Sequence, residues 1–185
     1  MMPWVMAETP FNADLLKQLL ATLDLPEHGV LQGGRKTGAA LRGNTVLHEW
    51  NEPVIVVLDS DSVEPENIWE QESTYRYLVP AGDFPGCPAD VLMAVPQVEA
   101  VLFSDHDALA CILGRELTER EKIEGEFRPR AVLDRLLADV GMDRDAFLRK
   151  IPPQAATRFA AHSIVQSIAA FVERANDALA LADAA

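Results

Sequence analysis

The feature that most limits the fold is the run Pro53-Val54-Ile55-Val56-Val57-Leu58-Asp59-Ser60-Asp61-Ser62. Val54 to Leu58 is rich in β-branched residues and shows no polar alternation. A strand without a polar face must be covered on both sides, the pattern of an inner strand in a parallel sheet flanked by helices. The run ends on two carboxylates one residue apart. In extended chain, residues i and i+2 point to the same side, so Asp59 and Asp61 would repel each other and lose hydration together. A hard divalent cation relieves both problems, and Mg²⁺ typically takes one or two carboxylates with waters and phosphate oxygens. The plainer alternative is a polar strand-to-loop transition in which Asp59 caps a turn or helix.

The rest of the chain supplies the layers. Trp4 to Ala7 is a short apolar run ending at Glu8. Asn12 is placed to cap a helix, with Leu15, Leu16, Leu19, Leu20 and Leu23 on one face and Pro26 and Gly29 closing it. Val30 to Gln32 reads as a short strand broken by Gly33-Gly34, and a second helix is expected within Thr37 to Trp50. The segment TYRYLVPAG (74–82) has strand composition. ADVLMAVPQVEAVLFSDHDAL (89–109) begins as a strand and passes into a helix after Pro96. From Leu117 the pattern is helical. Thr118-Glu119-Arg120-Glu121 fits a capping box. Val132, Leu133, Leu136, Leu137 and Val140 share a face, Gly141 stops that helix and Asp143 caps the next. A last helix is expected from Gln154 to Leu181, with Ile164, Val165, Ile168, Phe171, Val172, Ala175 and Leu179 on one stripe. That stripe suits packing on its own domain or against a second chain as a homodimer. The expectation is an α/β sandwich around a small, mostly parallel sheet over residues 3–115, with a helical C-terminal region over 116–185. In such sheets ligands sit outside the carboxyl ends of the strands.

The formal net charge of −13 argues against a large basic footprint for nucleic acid. It leaves room for an enzyme that meets phosphates through a metal ion, whose ligands add to the negative count. No apolar run approaches the ~18 residues of a membrane span. MMPWVMAETP lacks the features of a signal peptide, and two cysteines make no disulfide scaffold. A cytoplasmic protein is therefore expected. The histidines at 28, 48, 106 and 162 have no metal-ligand spacing, and Trp4, Trp50 and Trp69 are too scattered to suggest base stacking.

A strand ending in Glu, a helix, a short strand ending in small residues, a helix, and a hydrophobic strand ending in D-x-D: this order over Trp4 to Ser62 resembles the Toprim pattern. The later VPQVEAVLFSDHDAL is similar to the P-x-x-E-A-x-L-x-x-D segment of small OLD-like Toprim nucleases of phage defence, extending the resemblance to Leu113. It implies a Toprim/Rossmann-like domain with a metal-dependent phosphotransfer site. Glu8 would serve as general acid/base or metal ligand, Asp59 and Asp61 would bind Mg²⁺ or Mn²⁺, and Glu99 with Asp105 would complete a second metal position. A C-terminal lysine near the metals corresponds to Lys150. The implied function is cleavage of DNA or RNA, with weak binding by the chain alone and an ATPase partner protein in view.

The chain departs from the pattern at Thr9-Pro10, where many Toprim domains have Gly after the Glu. It contains no G-x-x-x-x-G-K-[ST], and GGRKTGAALRGN is out of register for a phosphate loop. Arg35 and Lys36 in that stretch are instead candidates to touch a phosphate. Taken singly, Glu8 reads as a surface residue before a turn, and Asp105 as a cap for a helix near His106. Two other readings stand beside the nuclease. VVLDSDSV also fits the motif of haloacid-dehalogenase-type phosphatases, with Asp59 as nucleophile and Asp61 as acid. A non-catalytic Toprim-like interaction module is the other.

Overall fold

The computed structural model describes residues 1–80 and 87–183. Four strands form one parallel sheet: β1 (Trp4–Ala7), β2 (Gly29–Gln32), β3 (Val54–Asp59) and β4 (Ala89–Ala94), in the order β2-β1-β3-β4. β3 is central and buried along its whole length. It pairs Trp4↔Val54 through Ala7↔Val57 on one side and Val54↔Ala89 through Asp59↔Ala94 on the other. The missing polar alternation thus has its expected cause, helices on both faces.

Because side chains alternate along a strand, β3 feeds two cores. Ile55 and Val57, with Val5 and Ala7, face the larger one. There they meet α1 (Pro10–Leu20), α4 (Ala100–Phe103), α5 (His106–Leu113), α7 (Pro129–Asp139), α8 (Arg144–Lys150), α9 (Pro153–Ala160) and α10 (Ser163–Asp183). Val54, Val56 and Leu58, with Met6, face a smaller core under α2 (Lys36–Thr45), a π-helical turn (Val46–Trp50) and α3 (Pro65–Leu78). The remaining helix, α6 (Glu119–Phe127), carries the expected capping box between Thr118 and Glu121. Helices α1, α3, α7 and α9 each have Pro in the first turn, where its missing N–H costs nothing. The C-terminal stripe Ile164, Val165, Ile168, Phe171, Val172 and Ala175 lies in the larger core, so these helices pack on the sheet's own domain. Among the described residues no helix is long and apolar enough to cross a membrane.

Three local expectations are corrected. Thr74 to Leu78 is not a strand but the end of α3. Ile68, Tyr75 and Leu78 meet the small core at helical spacing, while Tyr77 is 89% exposed, so tertiary packing overrides the aromatic strand composition. Ala81 and Gly82 of that segment lie outside the described residues. The single helix over 154–181 is two, α9 and α10. The chain tightens where Ala161 and His162 donate to Arg158 O and Phe159 O, and His162 Nδ1 accepts the Ile164 N–H to restart it. Burial lowers the His162 pKa, which keeps that nitrogen an acceptor. Finally, α1 ends at Leu20 rather than near Pro26, and its cap is Thr9, whose Oγ1 accepts the Asn12 N–H at 3.1 Å. Asn12 is thereby freed for another role.

The topology fixes where a ligand belongs. From β1 the chain moves outward to β2, then returns past β1 to β3. The direction of winding reverses between β1 and β3, and a crevice opens at their carboxyl ends. Glu8 follows β1 directly, and Asp59 is the last residue of β3.

Candidate active site

At this crevice Glu8 is nearly buried, and its Oε2 accepts the Asp59 N–H at 3.2 Å. Its carboxyl makes no other hydrogen bond among the described residues. Desolvation raises its pKa first, then the charge of Asp59, with Asp61 adding to both. The Asp59 N–H and the Lys36 ammonium pull the other way without offsetting this.

Asp59 is 0% exposed and points inward. Its Oδ1 accepts the Val98 N–H at 2.8 Å, and Asn12 Nδ2 donates to both oxygens at 3.3 and 3.5 Å. Arg130 Nη2 donates to its Oδ2. The same guanidinium grips Glu99, also 0% exposed, through Nε at 2.8 Å and Nη2 at 3.3 Å. Arg144 adds a contact to Glu99 at 3.2 Å, with its guanidinium stacked 4.5 Å over the Phe11 ring. Burial raises the pKa of Asp59, followed by the Glu99 charge, and Arg130 and Val98 offset only part of it.

Asp61 takes the opposite direction. It sits at φ 52°, in the left-handed region, where Asp is tolerated better than most residues. This turns its carboxylate outward, to Lys36 Nζ at 2.8 Å and Gln97 Nε2 at 2.7 Å. Partial burial pushes its pKa up, but the bonds from Lys36 and Gln97 outweigh it and hold the carboxyl below the usual range. Lys36 also donates to Gln71 Oε1 at 2.9 Å, and Gln71 in turn to Ser60 O at 2.8 Å. Asp59 and Asp61 therefore do not act as a parallel pair: the positive φ breaks the extended geometry that the spacing suggested.

The other predicted residues divide. Lys36 belongs to the site. Arg35 precedes it with an exposed side chain that makes no hydrogen bond or ion pair among the described residues. Glu99 is adjacent to Asp59 but already held by two arginines. Asp105 caps α5, accepting the Ala108 N–H at 2.9 Å, and pairs with Arg158. Asp105 is thus engaged by α5 and Arg158, and Glu99 by Arg130 and Arg144. Lys150 is exposed at the far end of α8, about 9 Å along the axis from Arg144, and makes no hydrogen bond or ion pair with the cluster.

Asn12, Gln97, Arg130 and Arg144 were missed from sequence. One signal did exist. Arg130 and Arg144 lie in the first turns of α7 and α8, and Lys36 in that of α2. A cation there opposes the helix dipole, so three such placements ask for carboxylate partners.

A hard divalent ion suits part of this donor set. Glu8 has an open oxygen, Asp61 is solvent-facing, and Asn12 Oδ1 is buried beside Asp59 without a partner. All are hard oxygen donors. In the arrangement described, no three His, Cys, Asp or Glu side chains among the described residues stand close enough to grip an ion. Asp59 and Glu99 are instead ion-paired to Arg130, and Glu99 to Arg144 as well.

Two consequences are measurable. Arg130→Met would leave two buried carboxylates without their shared cation, and should destabilise the protein by about 3–5 kcal/mol at neutral pH in denaturant unfolding. A loss below about 1 kcal/mol would mean that the pair is solvated. The second concerns pH. Because Asp59 titrates above its ordinary 3.8, the folded protein keeps a proton there that the unfolded chain releases first. That contribution to stability is complete below the unfolded value and is lost as pH rises through the folded one. Asp59→Asn cannot lose a proton, so its melting temperature should gain on the wild type from pH 4 to pH 7. A flat or falling difference would contradict the raised pKa.

Compared with known proteins, the chain matches no family model, and neither the curated proteins nor the solved structures give a significant match.

Proposed function

We propose that this chain is a divalent-metal-dependent phosphodiesterase acting on nucleic acid, a nuclease of Toprim type, with its site at the carboxyl ends of β1 and β3. The observation that carries the reading is the meeting of Glu8, Asp61 and Lys36 at the topological switch point, over a buried Asp59.

Glu8 has the properties of a general acid/base. It is shielded, retains a free oxygen, and its raised pKa brings it toward the range where proton transfer at neutral pH is efficient. It would take the proton of the attacking water or return one to the leaving oxygen. Lys36 and the unpaired Arg35 bring positive charge to the rim, where they would draw in a phosphate. Asp61 and the Asn12 amide oxygen would hold Mg²⁺ or Mn²⁺ beside Glu8, leaving the open Glu8 oxygen for proton transfer, and a bound ion of this kind neutralises charge that develops on phosphate oxygens. Arg130 keeps Asp59 and Glu99 from adding two uncompensated negative charges below the substrate. The acidic surface predicts weak substrate affinity in the isolated chain, and a basic partner would strengthen it.

A phosphatase with Asp59 as nucleophile has less support. That carboxylate is inaccessible, and both of its oxygens are already bonded.

The test is a Mn²⁺-dependent cleavage assay on plasmid, single-stranded DNA and RNA. Glu8→Gln should lower the rate by roughly 10²–10⁴-fold. Asp61→Asn should also lose activity while keeping the fold, because Asn tolerates the left-handed backbone at 61. Cleavage equal in wild type and both variants would place the activity elsewhere, and cleavage in none would favour a binding module.

A further inference from the structure

Beside Asp61 lies a pocket of about 320 Å³, whose lining includes Asp61, Gln97, Phe127, Arg128, Arg130 and Asp134. It opens directly from the candidate site, since Asp61, Gln97 and Arg130 belong to both. Its rim is unusual. Phe127, at the end of α6, is 56% exposed. Arg128 is exposed, and its guanidinium has no partner among the described residues. The orientation of α6 explains this. Gly125 faces inward, where a Cβ would come within 2.1 Å of the Phe103 ring. At ~100° per residue Ile123 and Phe127 fall on the opposite side, and both are exposed. The helix docks through its glycine and turns its apolar residues outward, the reverse of ordinary amphipathic packing.

We propose that this pocket takes the base of an unpaired nucleotide next to the phosphate at the site, with Phe127 stacking on the base and Arg128 holding the flanking phosphate. The proposal rests on the reading of the site as a phosphodiesterase, and names single-stranded nucleic acid as its substrate. The volume falls at the low end of small-ligand pockets, ~300–1,000 Å³, which suits one planar group rather than a helix. An exposed aromatic face beside a free guanidinium matches the two halves of a nucleotide, a π-surface and an anion. In a duplex the bases are stacked and paired, so only an unpaired one is free to enter.

The amide in the pocket is already committed. Gln97 is its one side-chain amide, and both ends are in use. Nε2 donates to Asp61 Oδ1 at 2.7 Å, and Oε1 accepts the Arg130 N–H at 3.2 Å. Gln97 therefore has no free group with which to read a base edge, and stacking alone discriminates weakly between bases.

The test is fluorescence anisotropy on the full chain with Ca²⁺, using a labelled single strand of about ten nucleotides, its abasic counterpart, and the duplex. The wild type should bind the base-bearing strand about tenfold more tightly than the abasic one, and more tightly than the duplex. Phe127→Ala should abolish the base-dependent difference without changing the melting temperature, and Arg128→Ala should weaken both single strands. Equal losses of Phe127→Ala on abasic and base-bearing strands, tighter binding of duplex, or no binding of any strand would overturn the proposal. Glu8-dependent cleavage with base-independent binding would remove the pocket and leave the phosphodiesterase. Base-dependent binding without cleavage would leave the pocket and remove the phosphodiesterase.

Discussion

The structure depends on one guanidinium. Arg130 lies between Asp59 and Glu99, two carboxylates with no exposure. Burying either charge alone costs several kcal/mol, and mutual repulsion adds to it. The shared cation, with Arg144 behind it and the Val98 N–H and Asn12 amide in front, makes the burial tolerable. It also fixes geometry. Asp59 ends the central strand, Glu99 is the N-cap residue of the short helix after β4, and Arg130 lies in the first turn of α7. One side chain therefore ties the sheet to the turn after β4 and to the helical layer.

That tie divides labour among the carboxylates. Asp59 and Glu99 face inward and are saturated with donors. Glu8 and Asp61 face the crevice and are not. The left-handed backbone at Asp61 separates it from Asp59, turning one to solvent and the other to the core. The chain as a whole is strongly acidic, yet Lys36, Arg130 and Arg144 nearly balance the local charge from the first turns of three helices. Those helix ends add their own positive partial charge. An anionic phosphate would meet a much less hostile field here than the net charge suggests.

Much of this was legible in sequence, and the boundary has a physical basis. The unbroken apolar run of β3 announced a central strand, and Glu8 and Asp59 at strand ends announced the crevice, because both signals are local. The capping box at Thr118 was local too. What failed was tertiary. Arg130 meets Asp59 across 71 residues of sequence, and no periodicity encodes that pairing. Asn12 has a common capping residue type, but Thr9 caps the helix and releases Asn12 to Asp59. The end of α3 looked like a strand because Tyr and Val favour sheets, whereas Ile68, Tyr75 and Leu78 pack at helical spacing. In α6 the buried residue is a glycine and the exposed ones are Ile123 and Phe127, an arrangement that hydrophobic patterning does not encode.

The central claim is that Glu8 and Asp61 form the open, ion-binding mouth of a site whose inner carboxylates are held by Arg130. Anomalous diffraction from crystals soaked in Mn²⁺ tests it most directly, because manganese reports its own position independently of any activity. The predicted result is a manganese peak in contact with Asp61 and beside Glu8, with Arg130 still on Glu99. A peak elsewhere, or no peak at a concentration that saturates binding in solution, would contradict it.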